Sequence, residues 1–269
     1  MPHTLPAPAD MPVVIFCGGR GTRLKEETEV VPKPLVRIGE KPILWHIMKT
    51  YYTQGFRRFV LLLGYKGEKI KDYFYRYQIN HSNFTIRPQS AAHEIVYHSR
   101  PVEDWEITFI DTGEDSQTGA RLKRAEWLLG SSPFMLTYGD GVSDVNLGEL
   151  MALHKQKGFL VTVTGVHPPG RFGEIVVEGN EARSFWEKPQ VQSGNINGGF
   201  FVVDPGIFKY LNDDSNLNFE KEILPKIARE GQLAVHTHTG YWQCMDTLRD
   251  MEFLNDEWRK PRAPWKIWD

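Results

Sequence analysis

Cysteine is almost absent. Cys17 and Cys244 are the only two in 269 residues, and neither a zinc ligand set nor a disulfide framework can be built from them. Charge of one sign is lacking as well: 32 Lys and Arg stand against 34 Asp and Glu, a formal net charge of −2. That balance removes the basic footprint of a nucleic-acid-binding surface. Long apolar runs are missing; Phe59–Leu63 has five residues, against the about 20 that span a bilayer. Residues 1–12 carry four prolines but no basic n-region and no apolar h-region, so they read as a flexible N-terminal tail and not as a signal peptide. No Gly-x-Ser-x-Gly elbow, heptad or internal repeat is present, which argues against a serine hydrolase, a coiled coil and a solenoid. What remains is a soluble chain, expected in the cytoplasm, with no membrane and no nucleic acid among its partners. At this length it can bury roughly 70–75% of its unfolded surface without a structural metal.

The apolar residues that are present fall into short blocks. Val13–Cys17, Phe59–Leu63 and Phe134–Tyr138 have the continuous apolar character of strands buried on both faces. Between the first two, Pro42 opens a helix whose Ile43, Leu44, Ile47, Met48 and Tyr51 recur at helical spacing. Another helix is expected around Ile70–Tyr77, and further ones at Thr118–Leu129, Leu147–Lys157, Phe219–Glu230 and Thr247–Trp258. Strands are expected at Thr85–Arg87, Glu94–His98, Trp105–Ile110, Leu160–Val166, Ile175–Glu178, Ser184–Trp186 and Phe200–Val203. Strands alternating with helices predict an α/β domain with a mixed, mostly parallel central sheet flanked by helices, elaborated in its second half. We expect residues 13–269 to form one domain, its halves meeting near residue 145.

Four stretches hold residues that chemistry could use. Gly18-Gly19-Arg20-Gly21-Thr22-Arg23-Leu24 follows a strand directly; such glycines free the backbone to present N–H groups to a phosphate, and Arg23 and Lys33 add charge. It is not a Walker loop, which needs Gly-Lys-Ser/Thr, nor a dinucleotide fingerprint, since Leu24 stands where the third glycine belongs. Tyr138-Gly139-Asp140-Gly141 ends another strand, where ligands of open α/β sheets bind and where a carboxylate can hold Mg²⁺. Taken alone, Asp140 is equally a turn residue, with Asp144 as a competitor, and Asp246 is equally a helix N-cap. Glu187-Lys188-Pro189 and Asn195–Phe201 place acidic and amide groups beside glycines, a pattern that suits sugar hydroxyls or, more plainly, a surface ion pair and a bulge. His236 and His238 share a strand face but have no third ligand nearby. The aromatic tail from Arg259 to Asp269 is expected to pack on the domain or on a second subunit.

Together these motifs resemble the sugar-phosphate nucleotidyltransferase family, which makes NDP-sugars from an NTP and a sugar 1-phosphate on a Rossmann-like, GT-A-like fold. The likeness runs from the glycine loop with Pro32-Lys33-Pro34, through Gly139-Asp140, Glu187-Lys188-Pro189 and Asn197-Gly198-Gly199, to Asp246. Pro42–Met48, Leu63–Gly67, Asp111–Gly113, Arg121–Arg124, Pro168–Gly173, Met245–Asp250 and Ala263–Lys266 are similar to the branch that makes CDP-glucose. Cys17 stands where the family usually has alanine, and Ala120 where glycine is common. The resemblance implies that Phe16, Cys17, Gly18, Gly19, Arg20, Gly21, Thr22 and Arg23 wrap a triphosphate, with Lys33 on its phosphates. It implies cytidine contacts from Ser116 and Arg121, Gly139 beneath the nucleotide, and Mg²⁺ on Asp140 and Asp246. Glu187, Lys188, Asn197 and Gly198 would hold the sugar phosphate, and Arg23 and Lys33 would be catalytic. CTP and glucose 1-phosphate are the implied substrates, and a homo-oligomer such as a hexamer the implied assembly. Another base or sugar, or a non-catalytic nucleotide-sugar sensor on the same fold, are the alternatives; a sensor would not need Lys33, Asp140 and Asp246 together.

Overall fold

Val13, Ile15 and Cys17 face one hydrophobic core and Val14 and Phe16 face another, all five buried. This first strand (β1, Val13–Cys17) therefore lies inside a three-layer arrangement, as its unbroken apolar character predicts. The structure is a computed structural model describing residues 5–88, 94–99, 103–167, 174–178, 181–186 and 194–268. The strands that join β1 in the main sheet are β2 (Arg58–Leu63), β3 (Glu106–Asp111), β4 (Phe134–Tyr138), β5 (Val161–Val166), β6 (Ile196–Val203) and β7 (Leu233–His238). Their spatial order is β7-β5-β6-β4-β1-β2-β3.

β1 is parallel to both β2 and β4, β2 to β3 and β5 to β7. Only β6 runs against its neighbours. The chain steps outward from β1 to β3 and then returns to β1's other side with β4. The β1/β4 crevice is thus where strand order reverses, the place at which open α/β sheets bind ligands. Because β6 is reversed, its beginning lies beside the end of β4, with Phe200 opposite Thr137. Residues from the second half of the chain are thereby delivered to the sheet edge that carries the glycine loop.

The flanking helices include α1 (Ile43–Thr53), α2 (Gly67–Tyr75), α3 (Thr118–Lys123), α4 (Leu147–Lys157), α5 (Leu224–Arg229) and α6 (Leu248–Arg259). The single helix expected over 118–129 is divided: α3 ends at Lys123, Ala125 leaves helical geometry, and Glu126–Leu129 forms a separate turn. The helix expected from Phe219 opens as a π-helical turn, Phe219–Ile223, just before Pro225, whose missing N–H and bulky ring prevent a regular helix there. Glu174–Glu178 and Glu181–Trp186 pair as an antiparallel hairpin, as do Phe84–Arg87 and Glu94–Tyr97.

Among the described residues, packing begins earlier than the sequence suggests, and the C-terminal tail packs as expected. Met11 is fully buried, and the Asp10 carbonyl accepts from Arg58, so packing begins before Val13. At the other end Ala263 and Trp265 belong to the core. The aromatic tail packs on its own domain, with Trp265 stacked between Tyr241 and Trp258. Trp265 has no exposed surface and so offers no ring to a second subunit.

Candidate active site

A cleft of about 390 Å³ opens at the β1/β4 crevice and is lined by Phe16–Arg20 on one side, Glu114–Thr118 on another, and Lys33, Pro34 and Tyr138–Asp140 at its floor. Its walls are the residues that follow β1, β3 and β4, all at the carboxyl ends of parallel strands. Gly139 has to be glycine here: a Cβ would stand 2.8 Å from the Phe16 carbonyl oxygen, too close for the two strand ends to meet.

At the floor Lys33 donates to Asp140 Oδ2 at 2.6 Å and to Asp246 Oδ1 at 2.7 Å. Arg23 reaches Asp246 Oδ2 at 2.9 Å. Burial works against the Lys33 ammonium, but the two aspartates outweigh it and hold its pKa above the ordinary lysine range. Asp246 is likewise penalised by burial, yet Lys33 and Arg23 keep its carboxyl below the usual carboxylate range. Asp246 is not the N-cap of α6; Thr247 takes that role in a capping box with Asp250, which leaves the Asp246 side chain to the cleft. Residues 107 and 213 positions from Lys33 thus meet at one atom.

On the cleft wall Arg20 has its Nη2 3.0 Å from Glu114 and 2.7 Å from Asp115, with its guanidinium over the Tyr65 ring. The ion-paired groups at the cleft therefore number three cations, Arg20, Arg23 and Lys33, against four carboxylates, Glu114, Asp115, Asp140 and Asp246. A polyphosphate entering alone would meet no surplus of positive charge among them. The oxygens of Asp140 and Asp246 converge on a single ammonium, and hard carboxylate oxygens are the donor set Mg²⁺ takes, with water and phosphate completing its octahedron. The residues present fit that ion. Among the described residues no group of three or more His, Cys, Asp or Glu is placed to hold a metal, His236 and His238 included; His238 is instead 2.9 Å from Asp144.

Arg121 connects the two loops. It is buried, and its terminal nitrogens donate to five acceptors: the carbonyls of Leu63, Gly113, Gly18 and Glu114 and the Thr112 hydroxyl. Gly18 and Gly64 leave room for the guanidinium; a Cβ would stand 2.2 Å from it at Gly18 and 2.3 Å at Gly64. Arg121 lines the cleft as the sequence suggests, but its geometry is that of a strut tying the glycine loop to the loop after β3. Neighbouring Ser116 is buried and accepts from Arg124 at 2.5 Å, so its own O–H is left to donate.

Phe16, Cys17, Gly18, Gly19, Arg20, Lys33, Ser116, Arg121, Gly139 and Asp140 all line the cleft. Gly21 and Thr22 lie in the continuation of the same loop, where Gly21 takes a φ of +63° that favours glycine. Asn197 and Gly198 stand at the start of β6. Asn197 Nδ2 donates to the Tyr138 hydroxyl at 3.0 Å, and the Gly198 carbonyl accepts from Trp242 Nε1 at 2.7 Å. Glu187 and Lys188 fall outside the described residues. Sequence reasoning missed Thr118, Glu114 and Asp115 as cleft residues, and quoted Tyr138 without giving it a role. Nothing in their local pattern marks them, since topology alone brings them to the cleft.

The chain matches the nucleotidyl transferase family over residues 12–256, and it belongs to that family of enzymes. Within it, the chain is similar along its length to glucose-1-phosphate cytidylyltransferases. It is 46% identical over 258 residues to a probable glucose-1-phosphate cytidylyltransferase of Bacillus subtilis (strain 168), covering 96% of this chain and all of that one. To the glucose-1-phosphate cytidylyltransferase of Salmonella typhimurium it is 45% identical over 260 residues, with the same coverage. The fold is shared with HddC from Yersinia pseudotuberculosis complexed with GMP-PN (TM-score 0.67, 23% identity, 93% of this chain and 100% of that one). It is also shared with a putative glucose-1-phosphate thymidylyltransferase from Bacillus anthracis (TM-score 0.68, 16% identity, 94% and 96%).

Proposed function

We propose that the protein transfers the cytidylyl group of CTP to glucose 1-phosphate, giving CDP-glucose and pyrophosphate. The observation that carries the reaction is the meeting of Lys33 and Asp140, which line the β1/β4 cleft, with Asp246 and Arg23 beside them. The similarity to glucose-1-phosphate cytidylyltransferases supports the choice of base and sugar.

Phe16 to Arg23 would wrap the triphosphate, with backbone N–H groups of the glycine loop as donors. A phosphate oxygen of glucose 1-phosphate attacks the α-phosphorus of CTP, forming one P–O bond as the bond to pyrophosphate breaks. That oxygen is already anionic near neutral pH, so the protein needs no general base; its task is alignment and charge neutralisation. Lys33 and Arg23 are charged and positioned, and exchange their carboxylate partners for phosphate oxygens. Mg²⁺, when bound by Asp140 and Asp246, supplies further neutralisation of the phosphates. Ser116, with a lone pair committed to Arg124, presents its O–H to an acceptor on the base, and cytosine offers O2 and N3. Asn197, Gly198, Glu187 and Lys188 would hold the sugar phosphate.

Both substrates are anions that do not cross a bilayer, and no helix among the described residues is long and apolar enough to cross a membrane. This supports a cytoplasmic place of action. A homo-oligomer accords with the exposed Tyr75, Ile79, Phe84 and Ile86, which lie on α2, the turn after it and the hairpin that follows.

Pyrophosphate release should be fastest with CTP and glucose 1-phosphate when four NTPs are screened in Mg²⁺ against several sugar 1-phosphates. Turnover with UTP or dTTP but not CTP would sink the cytidylyl assignment.

A further inference from the structure

The π-helical turn at Phe219–Ile223 places Glu220 where no local motif calls for a carboxylate; such turns often mark functional positions. Its Oε2 accepts from the Thr118 hydroxyl at 2.5 Å and its Oε1 from the Tyr138 hydroxyl at 2.7 Å. Thr118 Oγ1 in turn accepts from the Phe219 N–H at 3.0 Å. On the other arm Tyr138 accepts from Asn197 Nδ2 at 3.0 Å, and Asn197 Oδ1 accepts from the Gly199 N–H at 2.9 Å.

Every proton in this chain has one direction. A carboxylate only accepts, so both hydroxyls must donate to Glu220. Tyr138, having given its proton away, can only accept from Asn197, which fixes which end of that amide is nitrogen. Gly199, with a φ of +79° and no room for a Cβ beside the Tyr138 ring, fixes the other end. Thr118 and Tyr138 both line the nucleotide cleft, whereas Asn197 opens β6 and is exposed.

We infer that Glu220 is a positioning residue which, through Tyr138, orients the Asn197 amide toward the sugar phosphate. The inference rests on the reading of Asn197 as a sugar-phosphate residue. Glutamine at 220 would bring a donor to a site that requires two acceptors. The Tyr138 hydroxyl could then turn toward Asn197, reversing the amide and breaking its bond to Gly199.

The test is steady-state kinetics of Tyr138→Phe, Glu220→Gln, Asn197→Ala and the Tyr138→Phe/Asn197→Ala pair, with CTP and glucose 1-phosphate varied separately. Tyr138→Phe keeps the ring packing, so it serves if Glu220→Gln fails to fold. Tyr138→Phe should raise KM for glucose 1-phosphate about five- to tenfold, the size of one lost oriented hydrogen bond. KM for CTP should rise less than KM for glucose 1-phosphate, because the lost hydroxyl acts on the Asn197 side. In the Asn197→Ala background the same substitution should add nothing, because it acts through that amide. Additive effects in the pair, or equal rises in both KM values, would overturn the relay while leaving the sugar-site reading intact. An Asn197→Ala enzyme with unchanged KM for glucose 1-phosphate would overturn both.

Discussion

Lys33 is held between two carboxylates that are far apart in sequence, and each of the three groups limits what the others can do. Asp140→Asn or Asp246→Asn should lower turnover by about 100-fold or more, the scale seen when a charge-stabilising group is removed from a reaction centre. The melting temperature should move little, because Lys33 keeps its second partner. Pyrophosphate release measured over a Mg²⁺ series, beside a thermal melt, checks both; wild-type rates in either variant would remove the carboxylate from the site. Gly64 makes a different point at the same scale. It lies 46 positions beyond Gly18, yet a Cβ at either would run into the Arg121 guanidinium. The end of a long side chain usually gives way cheaply, but this one is tied to five acceptors. Gly64→Ala should therefore raise KM for CTP about tenfold and cost about 1–3 kcal/mol of stability, as overpacking typically does. Neutral kinetics for Gly64→Ala would mean that Arg121 is not what shapes the loop.

Among the elements, α1 carries the clearest pH signature. His46 is fully buried on it, with Nε2 3.0 Å from the Ile38 carbonyl, to which it must donate, and Nδ1 facing the Trp265 N–H. Burial pushes its pKa from 6.5 down to about 4, since a second ring proton would meet another N–H. The unfolded chain therefore takes up this proton before the folded one does. The contribution of neutral His46 is complete above about pH 6.5 and is lost progressively as the pH falls toward 4, roughly 3 kcal/mol in all. Melting temperatures at pH 7.0 and 5.0 should differ in the wild type and differ less in His46→Phe; an unchanged difference would locate the effect elsewhere. Elements are also where sequence and structure compare most clearly. β1, β2 and β4 were legible because burial on both faces leaves an unbroken apolar run, and α1 because five apolar residues repeat at its period. Strand direction leaves no such mark, so the reversal of β6, which brings Asn197 to Tyr138, was not legible. Nor were the break at Ala125 and the π turn before Pro225, where local backbone demands override a helical apolar pattern. The glycine loop, Lys33 and Asp140 were legible as candidates from residue type and place after strands. Asp246 was not separable from a helix cap until Thr247 was seen to fill that role.

Across the whole molecule, a net charge of −2 coexists with the proposed site for two phosphorylated substrates because Arg20, Arg23 and Lys33 at the cleft already have carboxylate partners and the Arg121 guanidinium is taken up by backbone carbonyls and a hydroxyl. Substrate entry is then an exchange of partners and not the filling of a positive hole, which limits the capture of unrelated polyanions. The sheet that makes this possible has its centre at β1, and that strand ends in a buried thiol. Cys17 is 1% exposed, with β2 and β4 paired on either side. Its burial makes it a built-in clock for the opening of the sheet. Alkylation of Cys17 by iodoacetamide, followed by peptide mass, should be slow in the native protein and accelerate with denaturant in step with the global transition. Labelling well ahead of that transition would mean that the middle of the sheet opens by itself, and with it the start of the glycine loop.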